Sequence, residues 1–285
     1  MYLNDMKRKV PFTVWSNIFF GGFINQFGWI FFGFGMIFFW AFALHADVSF
    51  LVFSGKLTTA QGMAIDSRET SASEGEASVY KNHYTFTDDS GKRIKGFSYA
   101  TGRWVKEGEP VTVEYPVGKP YYSRIQGMRK NMFGPAALLV LIFPLTGLAF
   151  LLFGLRKAVR ANKLLQDGIL TTGTLLEKNR TNTTVNDQTV YEFIFGFKDR
   201  SGRKFTVSEK THRTHLLRDD SEESLLYLKD NPNAAMMLDA LPRSPKLGKQ
   251  GDIAPGSLAS AFRQLLIPLI TLSGHGAYVF FTFLR

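Results

Sequence analysis

The 285-residue chain contains no cysteine. That excludes disulfide frameworks, thiolate metal sites and cysteine nucleophiles. Histidine is scarce, with 5 in the chain, and none lies beside a nucleophile-elbow pattern, so a serine–histidine–acid hydrolase finds no recognisable centre. No glycine-rich phosphate loop of the Walker or Rossmann type is present. The nearest glycine cluster, FFGGFINQFG at residues 19–28, lies inside an apolar run, where small residues serve helix packing better than phosphate binding.

The most informative absence is that of charge. Residues 10–46, 131–155 and 264–284 carry no Asp, Glu, Lys or Arg. An apolar run of about 20 residues crosses the ~30 Å hydrocarbon core as a helix. The first run is too long for a signal-peptide core and is read as an uncleaved anchor. Asn25 and Gln26 divide it, which predicts an interfacial segment over residues 11–24 and a crossing over residues 27–44. Trp15, Trp29 and Trp40 suit the headgroup region.

Positive charge is in excess by ten, and it gathers beside these runs. Lys7, Arg8 and Lys9 precede the first run; Arg129 and Lys130 precede the second; Arg156, Lys157, Arg160 and Lys163 follow it. Anionic headgroups account for that placement, so membrane lipids are expected partners and nucleic acid is not. Within the first run Gly28 and Gly35 are seven apart, on one helical face. They predict close helix packing, within the chain or between copies.

Between the runs the chain repeats itself. Residues 62–93 overlay residues 173–204 without a gap, matching Gly62 with Gly173, Thr70 with Thr181, Val79 with Val190 and Tyr80 with Tyr191. Phe86 matches Phe197, Asp88 matches Asp199, Ser90 matches Ser201 and Gly91 matches Gly202; further on, Tyr115 matches Tyr227 and Pro120 matches Pro232. The preserved order marks an internal duplication. Each copy alternates with period two: Tyr191, Phe193, Phe195 and Phe197 in one, Tyr80, Asn82, Tyr84 and Phe86 in the other, which predicts one buried strand face in each. Asp-x-Ser-Gly then predicts a short hairpin loop with Gly91 or Gly202 at positive φ as a structural turn residue. About five antiparallel strands per copy are expected, curled into a small barrel or sandwich.

Tyr84, Phe86, Asp88 and Gly91, followed by Gly108, Glu109, Val111, Val113, Tyr115 and Pro120, resemble the bacterial membrane proteins grouped as the domain-of-unknown-function family numbered 3592. The resemblance covers residues 56–127 and 168–240. It implies a small β domain beside membrane helices and carries no activity with it. In the second copy DDSEESLLYLKDNP stands where Gly108 and the alternating valines stand in the first.

The expected architecture is therefore a membrane α+β protein with three transmembrane helices and two duplicated β domains. Residues 1–46 hold the amino-terminal segment and first helix, 47–130 the first β domain, and 131–167 the second helix with an amphipathic extension. Residues 168–242 hold the second β domain, 243–262 a linker and 263–285 the third helix. His212 and His215, near Asp219 and Asp220, are candidate metal ligands set against a plain solvated loop, and no metal or cofactor is expected. His275 is the ionisable residue deepest in a span, expected near a helix break with a hydrogen bond to backbone or water. The function expected is a non-catalytic scaffold or accessory subunit of the bacterial inner membrane, with a protein partner or self-association. The alternatives are a ligand-sensing module and an envelope- or lipid-modifying enzyme. Loop charge places the amino terminus and second β domain in the cytoplasm and the first β domain outside.

Overall fold

The computed structural model describes residues 7–211, 222–241, 244–248 and 251–285. It has four α-helices among the described residues: α1 (Phe12–Phe20), α2 (Phe23–Ala41), α3 (Ile142–Asp167) and α4 (Leu258–Val279). Three helical stretches are long and apolar enough to cross a membrane: Phe23–His45, Pro135–Asp167 and Leu258–Leu284. The chain is a membrane α+β protein with two five-stranded antiparallel sheets. It divides into two compact units, residues 34–145 and residues 1–33 with 146–285.

The 34–145 unit contains β1 (Leu57–Glu74), β2 (Ala77–Thr87), β3 (Arg93–Thr101), β4 (Pro110–Pro116) and β5 (Arg124–Ile125) in the order β3-β2-β1-β4-β5. The sheet curls until its edges meet. The Tyr99 and Arg129 backbones exchange hydrogen bonds of 2.7 and 2.8 Å, and the Ser98 hydroxyl accepts from the Ile125 amide at 2.8 Å. Inside lie Tyr84, Phe86, Ile94, Val111, Val113, Tyr115 and Ile125. Two charged clamps join this barrel to its helix ends. Asp47 accepts from the Ser49 amide and hydroxyl, and Arg124 donates to Ser49 at 3.2 Å and to the buried Glu114 at 2.6 Å. Glu74 accepts from Thr101, from Arg129 and from the Gly134 amide, which leads into the second span. Burial raises the Glu74 pKa, but these hydrogen bonds and the Arg129 charge outweigh it and hold the carboxyl below its ordinary value.

The other unit repeats the sheet with β6 (Ile169–Val185), β7 (Gln188–Lys198), β8 (Lys204–Thr211), β9 (Glu222–Leu228) and β10 (Asn231–Met237), ordered β10-β9-β6-β7-β8. Several sequence identities between the copies have the same local task. The β1–β2 register shifts between Ala64/Asp66 and Glu69/Ser73, and the β6–β7 register shifts at the matching Leu175/Glu177 and Arg180/Thr184. At the second shift Thr70 donates to the Val79 carbonyl at 2.8 Å, and Thr181 donates to the Val190 carbonyl at 2.7 Å. Phe86 and Tyr115 rings lie 5.4 Å apart, as do Phe197 and Tyr227. Asp88 and Asp199 each accept from the serine two residues on and the amide four residues on.

The bulge also changes which aromatics face inward. Val79, Asn82, Tyr84 and Phe86 are buried in β2, and Val190, Phe193, Phe195 and Phe197 in β7. Tyr80 and Tyr191, expected on the core face, are only half-buried, because the bulge turns the strand before their neighbours Val79 and Val190 take the inward positions. The acidic stretch of the second copy forms strand β9 all the same. Its Leu-Leu-Tyr run is buried on both faces: Leu225 and Tyr227 enter the barrel, whereas Leu226 packs with α1 and α3. The corresponding residue of the first copy is Glu114, held by Arg124.

Candidate functional site

In the unit formed by residues 1–33 and 146–285, the first apolar run is broken at Gly21–Gly22. The break falls just before Asn25 and Gln26, the residues expected to divide the run. Gly22 has φ +80°, and a Cβ on Gly21 would stand 2.1 Å from the Asn17 carbonyl oxygen, so the chain turns where only glycine fits. The turn frees carbonyls that helix hydrogen bonds would have used. Asn25 and Gln26 satisfy them: Asn25 donates to the Gly21 carbonyl at 3.2 Å and Gln26 to the Phe20 carbonyl at 2.5 Å, and Gln26 also donates at 2.9 Å to the Gln264 carbonyl of α4, which Pro268 leaves without a helical amide. Irregular backbone at the end of a crossing stretch is tolerated where such partners exist or where it lines a cavity, and both apply here.

The cavity has a volume of about 850 Å³ and is bounded by the α1–α2 break, α3, the end of β8 and the turn after β10. Glu209, Lys210, Lys157 and Asp239 bring both signs of charge to its lining; Phe23, Ile24 and Phe153 bring apolar surface. Phe205, Val207 and Glu209 share one face of β8, so the strand that packs two apolar side chains against the barrel core ends by turning a carboxylate the same way. Glu209 is half-buried and has no hydrogen bond or ion pair among the described residues. Burial raises its pKa, and the Lys157 charge opposes that shift without a direct contact. Lys210 stands 3.8 Å from Glu192. The sequence signal for Glu209 was there to be read, as an acidic residue on the inward phase of KFTVSEK.

The residues singled out from sequence fall into distinct places. Lys7, Lys9, Arg156, Lys157 and Lys163 are exposed. Arg8 instead donates to the Gly168 and Leu165 carbonyls at 2.6 and 3.3 Å, closing the negative end of α3. Arg129 is engaged by Glu74, Thr101 and the Met132 carbonyl. Lys130 donates to the Phe97 carbonyl at 3.0 Å and lies 4.6 Å from the centre of that ring; burial lowers its pKa to about 8 against the attraction of Asp47. Arg160 reaches the Asn233 and Ala235 carbonyls, both at 3.4 Å. In the extension of α3, Leu164 and Leu165 are buried with Ala158 and Ala161 on one packed face, and Val159 is exposed.

Gly28 and Gly35 both face α3. A Cβ on Gly28 would meet Leu151 at 3.1 Å, and one on Gly35 would meet the Pro144 nitrogen at 2.4 Å. Gly91 and Gly202 have φ +81° and +80° in open space. His275 lies 3.0 Å from the Gly33 carbonyl oxygen. His212 and His215 lie outside the described residues, and among the described residues no group of three or more His, Asp or Glu converges as a metal site would require.

No family model matches the chain, and no curated protein does. Among solved structures, one that aligns is a Replication Protein A heterotrimer bound to ssDNA, at 11% identity and a TM-score of 0.17. The alignment covers 76% of this chain and 53% of that one, so this chain spans about half its length. A likeness that low carries no argument about fold or function.

Proposed function

We propose that this protein is a non-catalytic scaffold or accessory subunit of the bacterial inner membrane, holding two β domains for partners to bind. One observation carries the reading. The strongest polar constellations in the 34–145 unit, Asp47–Ser49–Arg124–Glu114 and Glu74–Thr101–Arg129, fasten a barrel to its helix ends. Groups spent on such fixed pairing give rigidity, and these residues are not free to act on a substrate as acid, base or nucleophile. Likeness to the family of unknown function noted above agrees with the reading, since what matches there are turn and core residues. The test is purification of tagged full-length protein in mild detergent: a stoichiometric partner or a defined homo-oligomer is expected, and a partnerless monomer would refute it.

In the orientation we propose, the amino terminus and second β domain are cytoplasmic and the first β domain is outside. Ser90 and Ser201 sit in exposed, matching turns, and the natural chain has no cysteine to confuse labelling. An impermeant maleimide applied to intact cells is expected to label Ser90→Cys and spare Ser201→Cys. Equal labelling would overturn the orientation.

The cavity favours a second reading, in which the unit holding the second β domain senses a ligand. Its Glu209 carboxylate, unpaired among the described residues and beside a stitched helix break, is what a binding site requires and a purely structural junction does not.

A further inference from the structure

The depth, the shape and the charge pattern of the cavity together narrow its ligand. Its helical walls come from the first turn of α2, from Phe153 to Ala161 of α3 and from Gln264 near the start of α4. Phe23 opens the first crossing stretch, the charges from Arg156 onward follow the apolar part of the second, and Gln264 follows Arg263 near the start of the third, so the cavity lies at the level of lipid headgroups. Phe23 and Phe153 in its lining are 80% and 58% exposed, as residues facing acyl chains would be. Beyond them stands Lys157, a cation suited to a phosphate diester, and then Glu209, an inward-facing carboxylate with no donor of its own among the described residues.

From this order of groups, and resting on the ligand-sensing reading, we propose that the cavity binds the headgroup of a phospholipid bearing a primary ammonium, phosphoethanolamine on a diacylglycerol. The phosphate lies toward Lys157, the ammonium donates to Glu209, and the acyl chains run along Phe23 and Phe153. A primary ammonium supplies three donors to a carboxylate that has none among the described residues, and a charge-assisted hydrogen bond is strongest where water is partly excluded. A quaternary choline cannot donate, and a glycerol headgroup brings no cation to offset the carboxylate. Glu209 is thus the residue that sets headgroup choice, and Lys157 the one that serves any phosphodiester.

The experiment is native mass spectrometry of the full-length protein in detergent with equal concentrations of phosphatidylethanolamine, phosphatidylcholine or phosphatidylglycerol of matched chains. Free O-phosphoethanolamine serves as competitor, and unliganded melting temperature is the folding control for each variant. Wild type is expected to retain phosphatidylethanolamine about tenfold over phosphatidylcholine, the worth of one charge-assisted hydrogen bond. Glu209→Gln is expected to erase that preference, and Lys157→Gln to weaken all three lipids together. Equal retention of ethanolamine and choline lipids, or a preference for phosphatidylglycerol, would overturn the headgroup assignment. Displacement by free O-phosphoethanolamine at equal concentration would overturn the lipid as source. A preference that survives in Glu209→Gln would overturn the role of that residue. If Glu209→Gln does not fold, the wild-type comparison of the ethanolamine and choline lipids decides alone. Failure of the sensing reading itself has a different signature: no probe is retained, and Lys157→Gln changes nothing.

Discussion

The turn at residues 88–91 allows a cost to be assigned to backbone strain alone. The Asp88 carboxylate accepts from the Ser90 amide at 2.9 Å, the Ser90 hydroxyl at 2.6 Å and the Lys92 amide at 2.9 Å, which fixes the loop around Gly91. Gly91 has φ +81°, and a Cβ built there meets nothing within 4 Å. A side chain at this position is therefore penalised for its conformation and not for a clash. An L-residue in the left-handed region costs about 1–2 kcal/mol, and Gly→Ala recovers roughly 0.4–1 kcal/mol by restricting the unfolded chain. The net for Gly91→Ala is about 1 kcal/mol, for the β-branched Gly91→Val about 2 kcal/mol, and for Gly91→Asn close to zero, because Asn tolerates this region. A whole-chain melting curve would mix the units, so the measurement is hydrogen exchange of peptides covering β2 and β3 in the intact, detergent-solubilised protein. Exchange through local opening should accelerate about fivefold for Ala and about thirtyfold for Val, with Asn near wild type. Gly62 provides the contrast. Its Cβ would lie 2.8 Å from the Thr85 carbonyl oxygen with no positive φ, so there Asn should be worse than Ala. If Ala and Asn at Gly91 behave alike, or if the order at the two glycines is the same, the assignment to backbone strain is wrong.

Leucine at both Gly28 and Gly35 should force α2 and α3 apart and lower the melting temperature or broaden the size-exclusion profile, whereas Phe31→Leu with Phe38→Leu should stay near wild type; a wild-type profile for the glycine pair would remove the packing argument. Glu74 has its pKa depressed in the folded state, so its clamp contributes fully above the ordinary carboxylate range, near 4.5, and is lost as pH falls through the folded value. Wild type should therefore lose stability below about pH 4.5 more steeply than Glu74→Gln, and parallel acid profiles by hydrogen exchange of peptides covering β1 and β3 would refute the clamp.

How much the chain disclosed depends on the range of the interactions concerned. Three spans, two copies of a β domain and the turn glycines followed from sequence alone, because length against bilayer thickness, period-two alternation and capping at Asp88 and Asp199 are set by residues near in the chain. The bulges were present in the repeat as the matched pairs Thr70/Val79 and Thr181/Val190, although their effect on Tyr80 and Tyr191 emerged only once strands were paired. Tertiary structure alone decided the rest. Asn25 and Gln26 looked like the break and proved to be its partners, since the carbonyls they satisfy belong to Phe20, Gly21 and Gln264. The acidic second copy of the strand survived because Leu226 meets α1 and α3 from far away in sequence, where Glu114 of the first copy meets Arg124. Arg8 became a helix cap and Glu209 a cavity residue for the same reason: burial and hydrogen-bond supply are properties of what surrounds a side chain after folding, and no local pattern encodes them.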